Sequence, residues 1–159
     1  MRVVFFGTPD FAVTSLEHLN NSRHEVVAVV TAPDKERGRG RKISYTPVKQ
    51  YTEDNNLQVF QPVDLKDEKF ISELSEFNAD VFVIVAFKIL PESVFGIPEF
   101  GSFNLHGSLL PRYRGAAPIQ WAIINGDEET IVIDPIDGTT NFIHGIPLIG
   151  IVIGRVFKG

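Results

Sequence analysis

Four short, mainly apolar runs recur along the chain, and segments with helical spacing lie between them. Each run is short enough for one strand, and such an apolar run is typical of a strand buried on both faces. The pattern therefore predicts four buried strands, at Val3–Phe6, Val26–Val30, Val81–Ala86 and Phe103–Leu105.

Two of the intervening segments place apolar residues at the intervals of a helix. Residues 10 to 19 form the first predicted helix, with Thr8 or Asp10 available as its N-cap. The apolar residues of the second predicted helix are Phe70, Leu74 and Phe77.

A third helix is predicted from about residue 116 to 125, because Pro118 falls in its first turn and Gly126 lies just past its end. Strands that alternate with helices predict an α/β fold with a mostly parallel sheet flanked by helices. Such sheets bind ligands beyond the carboxyl ends of their strands. Functional residues are therefore expected after Phe6, Val85 and Phe103.

The character of the chain changes near Thr130. The last thirty residues carry five glycines, with isoleucine and valine between them, and contain few helix formers. Strands are predicted at Ile131–Ile133 and Leu148–Ile153. The pattern thus predicts a strand–loop–strand ending after a strand–helix body.

Composition narrows the class of protein without fixing its function. The chain has 159 residues, is 43% hydrophobic and 22% charged, and carries a net charge of −5, which is typical of one globular domain. It has no cysteine, so a disulfide framework and a thiolate metal site are excluded. With no signal peptide pattern and no apolar run long enough for a membrane span, we expect a single cytoplasmic domain over residues 1–159.

The segment "FFGTPDFA" joins the first strand to the first helix. Backbone N–H groups at a helix start can hold an anion or the polar edge of a ligand. Gly7 alone does not make the G-x-G-x-x-G dinucleotide fingerprint, and a tight turn before a capped helix explains the segment equally well.

Residues 33–44, "PDKERGRGRKIS", concentrate positive charge on an otherwise acidic chain. Such a run is usually solvated surface, but mobile Arg-Gly arms also follow a phosphate backbone and become ordered on binding. Surface and RNA binding therefore both stay open for Lys35, Arg37, Arg39, Arg41 and Lys42.

Asn104 and His106 lie two positions apart at the end of a predicted strand, so both project from the same face. A neutral histidine can exchange a proton near pH 7, and an asparagine amide can donate to a developing oxyanion. The pair suits acyl-type transfer through a tetrahedral intermediate, although a lone histidine near a strand end is more often structural.

Five segments together carry a family resemblance: "FFGTPDFA", "APDKERGRGRK", "TPVK", "VAFKILP" and "NLHGSLLPRYRGAAPIQWAI". In order and spacing, residues 1 to about 130 resemble methionyl-tRNA formyltransferase, which has a Rossmann-like catalytic domain. The family moves a formyl group from 10-formyltetrahydrofolate to the methionine of initiator tRNA.

The resemblance implies roles for particular residues. Asn104 and His106 match two catalytic residues of the family, and the basic segment at residues 33–44 matches the insertion that touches tRNA. For this chain we expect tRNA binding to be lost or weak, and we expect no membrane partner. The walls of the folate pocket are matched by Phe87, Lys88, Ile89, Leu90, Pro91, Ser108, Leu109 and Leu110.

The third catalytic residue of that family has no counterpart in the chain. It is an aspartate in an LDTGD-type turn that orients the histidine, and an ungapped alignment places Phe142 at its position. Losing one member of an acid–base set typically costs about 10²–10⁴-fold in rate.

A second resemblance begins where the first one ends. Residues 131–154 are similar to a segment of inositol monophosphatase, whose DPIDGT hallmark binds magnesium. The resemblance implies metal ligands at Asp134, Ile136 and Asp137. Two carboxylates only begin a magnesium site, and the other acidic ligands of that family have no counterpart.

Three functional hypotheses follow. In the first, the chain is an engineered chimera of residues 1–130 and 131–159 that folds without efficient catalysis. In the second, it keeps residual formyl transfer or folate binding, with Asp137 replacing the lost acid. In the third, its DPIDGT loop binds magnesium and phosphate weakly. No cofactor is required by the first hypothesis. The apolar strand Leu148–Ile153 would favour a homodimer or a strand-swapped oligomer.

Overall fold

The computed structural model describes residues 1–37, 42–106, 112, 121, 124–126 and 132–135. The chain divides into two compact units, Met1–Ser102 and Phe103–Gly159. Within the described residues, no helix is both long and apolar enough to cross a membrane.

The first unit is built on parallel strands in the order β5-β2-β1-β6. The strands are β1 (Arg2–Gly7), β2 (Glu25–Val30), β5 (Val59–Phe60) and β6 (Val81–Val85). Three of them confirm the predicted strands. The two-residue strand β5 was not predicted, because a strand this short leaves no pattern.

The core follows from the unbroken apolar runs of the two central strands. Phe5, Phe6 and Phe82 are fully buried, and the rings of Phe6 and Phe82 have centroids 5.1 Å apart. Burying one such side chain stabilises the fold by roughly 1.5–3 kcal/mol. Both faces of β1 are covered, since Val3 to Gly7 are all buried.

Helices lie along the sheet, and α1 contacts β1, β2 and β6. The four helices are α1 (Asp10–Asn20), α2 (Pro47–Asp54), α3 (Glu68–Glu76) and α4 (Glu92–Phe95). The helices predicted at residues 10–19 and around Phe70 are confirmed, so the mostly parallel, helix-flanked sheet is confirmed too. The second and fourth helices are additional findings.

The predicted cap of the first helix is wrong. Pro9 occupies the N-cap position and no side chain makes a capping hydrogen bond, while Asp10 lies in the first turn. At the start of α3, by contrast, the Asp67 carboxylate accepts hydrogen bonds from the backbone N–H groups of Lys69 and Phe70. These two hydrogen bonds satisfy backbone N–H groups that the start of a helix leaves without a partner.

The sequence of the basic segment suggested an irregular arm, but part of the segment forms regular structure. β3 (Lys35–Arg37) pairs antiparallel with β4 (Lys42–Ser44), with Lys35 opposite Ser44. The segment is therefore a β-hairpin at its base.

In the C-terminal part, β7 (Ser102–His106) pairs antiparallel with β8 (Val132–Pro135). The strand predicted at Phe103–Leu105 is confirmed, but its full burial is wrong, because Phe103 to His106 are only half-buried. The predicted strand Ile131–Ile133 overlaps β8, which begins one residue later.

The end of the third predicted helix is also described. The backbone N–H of Asn125 donates to the Trp121 carbonyl at 3.0 Å, and Gly126 follows with φ +72°. A positive φ favours glycine, so the predicted helix end is confirmed. The predicted strand Leu148–Ile153 lies outside the described residues.

Candidate functional site

The turn after β1 requires glycine for steric reasons. A Cβ placed on Gly7 would lie 2.7 Å from a ring carbon of Phe5 and 2.8 Å from the Cβ of Ala12. Both distances are shorter than real contacts, so this glycine allows α1 to approach the strand closely. That packing role accounts for Gly7 without a ligand.

The loop after β6 carries most of the residues expected in a folate pocket. Ala86 has φ +49°, in the left-handed region that costs about 1–2 kcal/mol for a residue with a Cβ. Past this bend, Phe87 packs edge-on against Phe6 with ring centroids 5.6 Å apart, and Leu90 is buried. Lys88 and Ile89 are exposed. The loop thus anchors two side chains inward and presents the two between them to solvent.

A cavity of about 470 Å³ opens beside this loop. It is lined by Lys88, Ile89 and Pro91 of the loop and by the segment from Val63 to Lys66. Three of the predicted folate-pocket residues therefore do line a cavity, at the carboxyl end of β6 where α/β sheets bind ligands.

At the carboxyl end of β2 a different group of polar side chains is packed together. The Lys49 ammonium donates to the Asp34 carboxylate at 2.5 Å, and the Gln61 amide donates to the same carboxylate at 2.8 Å. Gln61 also donates to the Ala32 carbonyl at 2.8 Å. The side chains of Lys49 and Asp34 are only 11% and 25% exposed. We call Asp34, Lys49 and Gln61 the β2-end cluster.

The electrostatics of this cluster are mutually stabilising. The hydrogen bond from Gln61, followed by that from Lys49, lowers the pKa of Asp34 below its ordinary value of 3.8. The bond to Asp34 in turn raises the pKa of Lys49 above 10.5. The ammonium also lies 4.3 Å from the centre of the Tyr45 ring, a cation–π distance. Both groups are therefore held in their charged forms.

This cluster fixes the base of the basic hairpin, because Asp34 immediately precedes β3 and Tyr45 immediately follows β4. Sequence reasoning assigned it no role. The segment "TPVK" contains the start of α2, where the Thr46 hydroxyl accepts a 3.0 Å hydrogen bond from the Lys49 backbone N–H. This helix start places Lys49 of the cluster.

The predicted catalytic pair lies where expected on its strand. Asn104 and His106 are two positions apart on β7, opposite Asp134 and Val132 of β8 in the antiparallel register. Both are half-buried. A residue two positions along a strand returns to the same face, so the backbone places Asn104 and His106 side by side, as the sequence predicted.

Several other predicted site residues are only partly described. Lys35, Arg37 and Lys42 lie on the basic hairpin, and Asp134 lies on β8 rather than in a loop. In the described part of the chain, no three histidine or acidic residues gather as a metal site. The predicted residues outside the described part are Arg39, Arg41, Ser108, Leu109, Leu110, Ile136 and Asp137.

A model of the formyl transferase family matches residues 1–141 of the chain. The chain belongs to the formyl transferase family. The match includes the strand ends, the basic hairpin and the Asn104–His106 strand described above.

Curated relatives agree with the family match. The methionyl-tRNA formyltransferase of Bacteroides fragilis is 58% identical over 130 residues, covering 82% of this chain and 40% of the relative. That of Agathobacter rectalis is 53% identical over 131 residues, covering 82% and 42%. The chain thus spans about two-fifths of the length of these relatives, and it is a formyltransferase-like domain homologous to them.

Solved structures share the fold. The phosphoribosylglycinamide formyltransferase of Bacillus halodurans superposes with a TM-score of 0.64 at 18% identity, covering 98% of this chain and 76% of its own. Glycinamide ribonucleotide transformylase 1 of Symbiobacterium toebii gives a TM-score of 0.65 at 12% identity, covering 99% and 74%. At such identities the likeness shows the fold alone.

Proposed function

We propose that this domain binds 10-formyltetrahydrofolate and transfers its formyl group to an amine, by means of Asn104 and His106. The observation that carries the proposal is their placement, two positions apart on one half-buried strand. The 58% identity to a methionyl-tRNA formyltransferase supports methionyl-tRNA as the source of that amine.

In the proposed reaction, Asn104 donates a hydrogen bond to the formyl oxygen as it becomes negative in the tetrahedral intermediate. His106 accepts the proton that the attacking amine loses and delivers it to the departing folate nitrogen. One nitrogen–carbon bond forms and another breaks, so atoms and charge balance without a further reactant. Replacing Asn104 with alanine is expected to lower the rate about 10²–10³-fold.

Catalysis by this domain is proposed to be inefficient, because Phe142 stands where an ungapped alignment expects the aspartate that orients the histidine. The resulting loss would be about 10²–10⁴-fold. We propose Asp137 as the substitute acid if activity survives. Asp137→Ala should then abolish the remaining formyl transfer, whereas the nearby Asp127→Ala should leave it intact, and equal rates in both variants would refute the substitution.

We also propose that the basic hairpin contacts tRNA, and that this binding is weak. Five basic residues within residues 35–42 lie on a chain of net charge −5, and the β2-end cluster fixes the base of that hairpin. A fixed base and a run of cationic residues in the segment suit binding along a phosphate backbone. Binding should weaken steeply as salt concentration rises.

As a second candidate, we propose that the chain is an engineered chimera in which residues 131–159 derive from an inositol monophosphatase, folded but with little catalysis. The proposal is supported by the DPIDGT sequence and by curated relatives that align over only 130 to 132 residues. The family match through residue 141 overlaps that segment. Weak magnesium and phosphate binding through Asp134, Ile136 and Asp137 belongs to this candidate.

Self-association is a related proposal. The run Leu148–Ile153 is apolar and rich in β-branched residues, and an exposed strand of this kind pairs readily with its copy. We expect a homodimer or a strand-swapped oligomer. A monomeric mass by light scattering at high protein concentration would contradict it.

Thermal unfolding separates the two candidates. The protein is melted alone, with 5-formyltetrahydrofolate as a stable analogue, and with magnesium plus phosphate. A ligand at a hundred times its dissociation constant adds about 2.7 kcal/mol of stability, a shift of several degrees in Tm. A shift with folate supports formyl transfer, a shift with magnesium and phosphate supports a phosphatase-derived site, and no shift with either supports an inert chimera.

A further inference from the structure

An aromatic ring is exposed directly beside the basic hairpin. Tyr45 immediately follows β4 and is 53% exposed, and Ile43 on β4 is 60% exposed. Tyr45 is the sole aromatic residue within residues 33–45, a stretch that holds five lysines and arginines. Single exposed apolar residues are ordinary, but an aromatic ring next to a run of cations is typical of surfaces that bind single-stranded nucleic acid.

The position of this ring is fixed by its neighbours. The Lys49 ammonium lies 4.3 Å from the ring centre, and it is itself held by its hydrogen bond to Asp34 at 2.5 Å. The next residue along the chain is fixed too, since the Thr46 hydroxyl forms a 2.8 Å hydrogen bond with the Thr31 hydroxyl. Tyr45 is therefore pre-organised, which lowers the entropy that is lost when a ligand binds.

Lys49 does not depend on the ring to balance its charge. Its ammonium pairs with Asp34 and lies 3.8 Å from the Glu53 carboxylate, so two acids already neutralise it. A cation–π contact at an exposed site contributes little to stability, and this one leaves more than half of Tyr45 exposed. The ring thus keeps a surface that a binding partner can cover.

The chemistry of this surface fits an unpaired base of an RNA strand. Every base has a flat π face that stacks on an aromatic side chain, and one such stack strengthens binding about fivefold to hundredfold. The neighbouring cations would bind the phosphates on either side of that base. A duplex offers phosphates but keeps its base faces stacked inside the helix, so it would gain nothing from the ring.

We infer that Tyr45 stacks on an unpaired base of the RNA strand whose phosphates the basic hairpin binds. This inference rests on the proposed tRNA contact of that hairpin. It names single-stranded nucleotides as the partner of the Tyr45 ring, and it makes this tyrosine a binding residue rather than a part of the core.

The test measures binding by fluorescence anisotropy at low salt with three RNA hairpins. The first carries a short 3′ overhang of adenosines, and the second carries an abasic overhang of the same length. The third has the same number of phosphates, all within its duplex. The first two probes differ only in the presence of unpaired bases, so their comparison isolates stacking from charge.

The proteins are the wild type, Tyr45→Leu, Tyr45→Phe and Lys35→Gln, with Phe100→Leu as the matched control. Phe100 is also exposed, but it lies at the amino end of β6, where its backbone N–H donates to the Asp80 carbonyl. The basic hairpin instead follows the carboxyl end of β2. Melting curves verify folding, which exposed substitutions alter little.

Tyr45→Leu is expected to bind the adenosine overhang about fivefold to tenfold more weakly than the wild type, and to bind the other two probes equally well. Tyr45→Phe should keep most of the wild-type affinity, because it retains the ring. Phe100→Leu should match the wild type with every probe. Lys35→Gln should instead weaken all three probes alike and reduce the salt dependence of binding by about one phosphate contact.

Other outcomes would overturn the inference in distinguishable ways. An unchanged affinity of Tyr45→Leu for the adenosine overhang, or an equal loss for all three probes, would refute stacking and leave the RNA contact of the hairpin standing. A loss in Tyr45→Phe as large as that in Tyr45→Leu would assign the effect to the hydroxyl and also refute stacking. No binding of any probe by the wild type would refute both proposals.

Discussion

The fold treats two lysines of the first unit in opposite ways: Lys49 lies in the first turn of α2, and Lys88 lies in the loop after β6. Lys49 is 11% exposed and is neutralised at 2.5 Å by Asp34, which follows β2. After β6, Lys88 is exposed and has no ion-pair partner among the described residues. The difference separates a charge that stabilises the architecture from a charge that stays available for a ligand.

The strongest test of this contrast is to remove each charge while keeping most of the side chain. Lys49→Met leaves the Asp34 carboxylate without its cation, and we expect a loss of about 2 kcal/mol in the free energy of unfolding. Lys88→Met should change it by less than about 0.5 kcal/mol. Denaturant unfolding measures both, and equal effects in the two variants would abolish the distinction.

The pH dependence of the β2-end cluster gives a second test. Because the pKa of Asp34 in the folded protein is below its ordinary value of 3.8, its ionised form stabilises the fold above that pH. This stabilisation is lost as the pH falls through the folded-state pKa. Asp34→Asn should therefore be about 1–2 kcal/mol less stable than the wild type at pH 7.

The difference in the free energy of unfolding between the wild type and Asp34→Asn should narrow as the pH drops below 3.8. On the alkaline side, the raised pKa of Lys49 means that its contribution is complete below 10.5 and is lost only as the pH rises through the folded-state value. Unfolding measured from pH 2 to 7 decides the matter. A stability gap that stayed constant across this range would show that Asp34 acts through packing instead.

The β6 loop should respond to relief of backbone strain. Ala86 has φ +49° and is exposed, so Ala86→Gly removes a steric cost while adding freedom to the unfolded chain. We expect a net gain of about 0.5 kcal/mol, visible as a small rise in Tm. A fall in Tm would mean that the methyl group makes a contact worth more than the strain.

The smallest stability effect is expected at Ile89. Since this side chain is 97% exposed, Ile89→Ser should change the free energy of unfolding by less than about 0.5 kcal/mol. The Ile89→Ser variant should nevertheless bind 5-formyltetrahydrofolate more weakly, because the substitution removes an apolar side chain from the lining of the cavity beside the β6 loop. A stability loss above 1 kcal/mol would place Ile89 in the core.

Part of this molecule could be predicted from its sequence, because a strand buried on both faces is encoded by a short run of apolar residues. The run Val81–Val85 is apolar without interruption and becomes a central strand. Helix α2 has a weaker sequence pattern, since only Val48 and Thr52 are buried among its polar residues. The Thr46–Pro47 start was present, but no apolar periodicity followed it.

The basic hairpin shows where local patterns fail. β3 and β4 are three residues each and mostly polar, so nothing in their sequence distinguishes paired strands from solvated coil. Their pairing depends on cross-strand hydrogen bonds and on a base fixed by the β2-end cluster, which no short window contains.

By itself, the sequence determined the parallel strands, the first and third helices, the family resemblance and the placement of Asn104 and His106 on one strand. Only the tertiary structure decided which charged residues are paired. Asp34 follows β2 and Gln61 follows β5, and the two meet from 27 positions apart because parallel strands bring their carboxyl ends to one edge of the sheet. Lys49 reaches the same carboxylate from the first turn of α2, 15 positions away. Lys66 and Lys88, which are distant in sequence, line one cavity and remain exposed there.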